Sequence, residues 1–88
     1  MDLKQYRDKI DGIDRQLIEL FTERMKASAK IADYKKINNL PVLDEDREKE
    51  LLEKIAQLSD GEYREYCLRL YERILEISRD YQQSLIDG

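Results

Sequence analysis

From Leu3 onward, apolar residues recur at alternating intervals of three and four: Leu3, Tyr6, Ile10, Ile13, Leu17, Leu20, then Ala27, Ile31 and Tyr34. This spacing lays one continuous stripe along a helix and approaches the heptad seam of helices that pair lengthwise. Position 24 is its only interruption. Neither Pro nor a cap signal occurs before Asn38-Asn39-Leu40-Pro41. There Asn can enter the left-handed region and Pro forbids continuation, so the pattern predicts a first helix over 3–38. Gly12 costs such a helix only about 1 kcal/mol relative to Ala.

Asp44 reads as an N-cap, with Glu45 and Asp46 favourable in the first turn of a second helix over 45–58. Leu51, Leu52, Ile55 and Leu58 form its apolar face. Ser59-Asp60-Gly61-Glu62 has the Ser-x-x-Glu form of a capping box and predicts a third helix over 60–85. The seam of that helix runs Tyr63, Cys67, Leu70, Ile74, Tyr81 and Leu85, broadened by Tyr66, Tyr71 and Leu75. The expected fold is all-α: three helices, one very long, in a single domain over 1–88 without internal repeats.

Length then bears on partners. A helix of about 35 residues is about 52 Å long, whereas a compact domain of this size has a radius of gyration of about 12 Å and a diameter near 30 Å. The two shorter helices cannot cover the whole seam of the first. A second copy of the chain can, in an intertwined helical homodimer with two-fold symmetry. The alternative is a kink near Gly12 that folds the chain back into a four-helix monomer.

Polar residues interrupt these seams. Arg24 occupies a seam position, and Arg24, Ser28, Ile31 and Lys35 share one stripe, with the two cations about three turns apart. A guanidinium facing a core costs several kcal/mol unless it meets an anion. Ser78 and Gln82 fall on the apolar face of the third helix, and Glu48, with Arg47 beside it, leads the apolar stripe of the second. Taken singly, each has a plain structural reading: an Arg that snorkels to solvent, a Ser or Gln that sets register, a surface Arg–Glu pair. Together they describe a pocket lined by cations, an amide, a hydroxyl and a carboxylate, which suits a small dianion.

Composition narrows the chemistry. Charged and hydrophobic residues each make up 41% of the 88 residues, with three Gly and one Pro, which excludes disorder and a loop-rich or all-β fold. The net charge of −4 comes from interspersed charges; a nucleic-acid partner would require a basic stripe. No stretch approaches the roughly 20 apolar residues of a membrane span, and there is no secretory signal pattern. Cys67, the one cysteine, cannot form an internal disulfide and fits a reducing cytoplasm. Histidine is absent. Any catalysis must therefore do without Ser-His-Asp or Cys-His nucleophiles and without His-bound zinc.

The ordered patterns Leu3-x-x-x-Arg7-x-x-Ile10-Asp11-x-Ile13-Asp14, Leu17-x-x-Leu20-Phe21-x-x-Arg24, Ile31-Ala32-x-Tyr34-Lys35, Leu40-Pro41-Val42-x-Asp44-x-x-Arg47-Glu48 and Ile77-Ser78-Arg79-x-x-Gln82 span residues 3–82. Each alone is weak. In this order and at these separations they make the chain resemble the all-helical (AroQ-type) chorismate mutases.

The resemblance implies an isomerase that rearranges chorismate to prephenate in aromatic amino-acid biosynthesis without metal or cofactor. It also implies a homodimer whose two sites each take residues from both chains. The family's functional positions fall on Lys35 and Gln82, expected to face the ether oxygen, and on Arg7, Arg24, Arg47 and Ser78, expected to hold the substrate carboxylates. Glu48, with the backbone at Asp44, would bind the ring hydroxyl. Arg7 lies about 26 Å from Arg24 along the same helix, so one small ligand cannot reach both; supplying Arg7 from the partner chain resolves this. An isochorismate-pyruvate lyase of the same fold and a non-catalytic helical dimerisation module are the alternatives. No regulatory or fused domain is visible in the sequence, so feedback inhibition is not expected.

Overall fold

The structure, a computed structural model, describes residues 1–88. It consists of three helices and no strands: α1 (Leu3–Ile37), α2 (Glu45–Leu58) and α3 (Arg64–Asp87). α1 begins with a capping box, in which the Asp2 carboxylate accepts from Gln5 N at 2.9 Å and the Gln5 side chain accepts from Asp2 N at 2.9 Å. It runs through Gly12 unbroken, so the folded-back four-helix arrangement does not form. Asn39 adopts a φ of 53°, and the amides of Leu40 and Asn39 donate to the carbonyls of Lys35 (2.8 Å) and Lys36 (3.4 Å). This is a Schellman ending with Asn in the left-handed position.

α2 is capped as its sequence predicts, with the Asp44 carboxylate accepting from Arg47 N at 3.0 Å. α3 differs from expectation. It starts at Arg64, and its N-cap residue Tyr63 makes no side-chain capping bond. The Ser59 hydroxyl instead donates to Ile55 O at 2.5 Å, closing α2, while Arg64 Nε donates to Ala56 O at 2.8 Å. The Ser59 side chain is turned back to the last carbonyls of α2, and with α3 starting at Arg64 it is not the residue that precedes the free amides of that helix.

α3 packs against both α1 and α2, which do not pack on each other. Its buried face centres on Leu75, Ser78 and Gln82; α1 meets it through Ser28 and Ala32, with Phe21 and Met25 half-buried on the same stripe. This inner stripe is offset from the heptad seam: Ile31 and Tyr34 remain 47% and 63% exposed. The seam of the first half of α1, Leu3 to Leu20, is uncovered throughout, and Leu58 at the end of α2 is exposed. Only Ala32, Ile55 and Leu75 are buried apolar residues, a small core for a stable domain. The radius of gyration is 16.1 Å and the longest dimension 54 Å, against about 12 Å and about 30 Å for a compact chain of this length. No helix is long and apolar enough to cross a membrane.

Candidate active site

Because α1 and α2 splay apart over α3, a cavity of about 320 Å³ opens between them, within the range of small-molecule sites. The second half of α1 contributes Arg24 and Lys35 to its lining; the start of α2 contributes Asp44, Arg47 and Glu48; α3 contributes Ser78 and Gln82. Ala27, Ile31, Val42, Leu51 and Leu75 supply the apolar part of the wall. The structure therefore brings together all the expected site residues except Arg7, which is exposed on the projecting half of α1.

Lys35 is pinned at both ends. Its carbonyl takes the Leu40 amide of the helix ending, and its ammonium donates to Val42 O at 2.6 Å across the connecting loop. Arg24 is half-buried and forms no ion pair or hydrogen bond with the chain, and no carboxylate pairs with Lys35. Arg47 reaches Glu50 at 3.2 Å on an exposed face. Two cations thus line the cavity with no carboxylate of the chain within ion-pair distance, although Asp44 and Glu48 line the same cavity.

The floor is a buried polar chain. Ser28 Oγ and Ser78 Oγ lie 2.9 Å apart, and Gln82 Nε2 donates to Ser78 Oγ at 3.1 Å. Gln82 Oε1 is buried without a partner, which costs about 1–3 kcal/mol. A half-turn of the amide exchanges its two ends, which would let Ser78 donate to Oε1 and leave Nε2 as the end free to donate.

Two lining residues, Ser28 and Arg79, were not among the expected site positions. Ser28 lies on the Arg24–Lys35 stripe, and that placement was its only signal. Arg79 Nη1 lies 2.5 Å from Glu48 Oε1. Away from the cavity, a hydrogen bond and the charge of Arg73 hold the Glu76 carboxyl below its ordinary range. Neither residue of that exposed pair lines the cavity.

Residues 6–83 match the family model of chorismate mutase type II, and the chain belongs to that family. It is 36% identical over 88 residues to the bifunctional chorismate mutase/prephenate dehydratase of Buchnera aphidicola subsp. Schizaphis graminum, a match covering 98% of this chain and 23% of the relative. It is 34% identical over 82 residues to the Escherichia coli K12 protein of the same description, covering 91% of this chain and 21% of the relative. The chain thus spans less than a quarter of the length of these relatives. Among solved structures, a conserved hypothetical protein from Pyrococcus furiosus superposes with a TM-score of 0.73 at 41% identity, covering 91% of this chain and 93% of that one.

Proposed function

We propose that this chain, as a single domain over 1–88, is a chorismate mutase that rearranges chorismate to prephenate in aromatic amino-acid biosynthesis, and that it acts as a cytoplasmic homodimer. The observation that carries the reading is the cavity holding Arg24 and Lys35 without carboxylate partners, beside Glu48, Ser78 and Gln82. Chorismate carries two carboxylates, a ring hydroxyl and an ether oxygen, and the lining offers a group for each.

The reaction is an intramolecular pericyclic shift. One C–O bond breaks and one C–C bond forms within the same molecule, so neither a nucleophile nor a proton carrier is required. The protein has to hold the compact conformer and stabilise negative charge as it develops on the ether oxygen. Arg24, Arg47 and Ser78 would fold the substrate by its carboxylates, and Glu48 with the Asp44 backbone would take the hydroxyl. The Lys35 ammonium and the Gln82 amide would donate to the ether oxygen, the amide after the half-turn that pairs its orphaned Oε1.

The same geometry supports a dimer. Leu3, Tyr6, Ile10, Ile13, Leu17 and Leu20 form an apolar row each 42–62% exposed, and contiguous exposed apolar surface of this kind marks an interaction site. A second copy laid along that row would cover it and carry Arg7 to the other chain's cavity.

The test is to supply the purified chain with chorismate and, separately, isochorismate. The expected result is conversion of chorismate to prephenate with isochorismate left intact. Release of pyruvate from isochorismate, or no turnover of either compound, would contradict the reading.

A further inference from the structure

Three of the four ion pairs in the chain join residues three or four apart on one helix: Lys4–Asp8, Arg47–Glu50 and Arg73–Glu76. All three are largely exposed, and pairs of that kind contribute little. The fourth, Arg79–Glu48, ties α3 to α2, and its side chains are only 34% and 22% exposed. Both residues border the cavity between α1 and α2, and both also border the groove on the outer side of α2 and α3. The pair is therefore part of the wall between the two. Arg79 Nη1 engages Glu48 Oε1 alone, which leaves Oε2 free to accept.

We propose that Arg79 is a positioning residue for substrate binding: it fixes the Glu48 carboxylate in the cavity wall with Oε2 free for the substrate's hydroxyl, and it offsets a negative charge that would otherwise repel a dianionic substrate. The inference rests on the functional reading above. Two physical effects follow from the geometry. A Glu side chain has three rotatable torsions, and a charge-assisted bond from a neighbouring helix removes most of that freedom before the ligand arrives. A carboxylate in a site built for two other carboxylates needs a cation beside it, and Arg79 is the cation that touches it. Arg79 acts through Glu48; its guanidinium is engaged there and is not a further clamp on the substrate.

The experiment compares steady-state turnover of chorismate by the full chain as wild type, Arg79→Gln, Arg79→Lys, Glu48→Gln and the Arg79→Gln/Glu48→Gln double variant, with a thermal melt of each. The expected result for Arg79→Gln is a fall in kcat/KM of about tenfold, mostly as a higher KM. Arg79→Lys, which keeps the charge, is expected to stay within about threefold of wild type. In the Glu48→Gln background, Arg79→Gln should change kcat/KM by less than about twofold, because the charge it neutralises is gone and the neutral amide is held only weakly.

A merely structural role would lower activity in step with the melting temperature and without a selective rise in KM, whereas the positioning role raises KM in a variant that melts close to wild type. Additive losses, or an Arg79→Gln enzyme with wild-type KM and kcat, overturn the proposal while leaving the mutase reading intact. A wild-type chain that does not consume chorismate overturns both.

Discussion

Replacing Lys35 by Ala is expected to lower kcat by about two to three orders of magnitude while the chain remains folded. The ammonium is held where α1 ends, between its own Schellman turn and the Val42 carbonyl, and it reaches the cavity without a competing carboxylate. A donor that is already oriented stabilises developing oxyanion character without reorganising during the reaction. In a histidine-free chain no neighbouring imidazole can replace it. Loss of the bond to Val42 should cost stability only about 1 kcal/mol, because the loop is largely solvated. Chorismate absorbance followed with both proteins, alongside a melt by circular dichroism, separates the two effects. Unchanged kcat in the variant would remove Lys35 from the mechanism.

Arg24→Met is expected to act in opposite directions on function and stability. Turnover, as kcat/KM, should fall by about two to three orders of magnitude, since a desolvated carboxylate clamp typically contributes on that scale. The melting temperature should stay the same or rise. Arg24 is half-buried with no anion of the chain to compensate it, and replacing such a charge by an apolar side chain of similar length removes a desolvation penalty. A helical module without catalytic function would show the stability gain and no functional loss.

The same residue shows why part of the site was legible in the sequence. Arg24 interrupts an otherwise regular apolar seam, and Ser78 and Gln82 do the same on α3; polar groups at such positions are conspicuous because burial penalises them. The end of α1 and the start of α2 were legible for a related reason, since Asn39, Pro41 and Asp44 each act through local backbone geometry; the Asp2–Gln5 capping box at the start of α1 was not among the expected features. The start of α3 was not legible either. Ser59 can serve either helix, and the choice depends on which orphan carbonyls lie within reach once α2 has formed.

Nor could periodicity separate the two stripes of α1. Ser28 and Ala32 pack on α3 while Ile31 and Tyr34 stay exposed, yet both stripes repeat at three and four. The Arg79–Glu48 bond joins residues 31 positions apart on different helices, a pairing that no local pattern encodes. The substrate itself was legible only through resemblance to a family, because the lining by itself specifies no more than a small dianion.

Arg7 carries the claim on which the whole account turns: that one site is built from two chains. Arg7→Ala and Arg24→Ala chains, each nearly inactive alone, should be unfolded together, refolded as a mixture and assayed with chorismate. If Arg7 serves the partner's cavity, half of the dimers are mixed and each mixed dimer has one intact site, so the mixture should recover about a quarter of the wild-type activity per chain. Activity no higher than the average of the two variants would contradict the shared site.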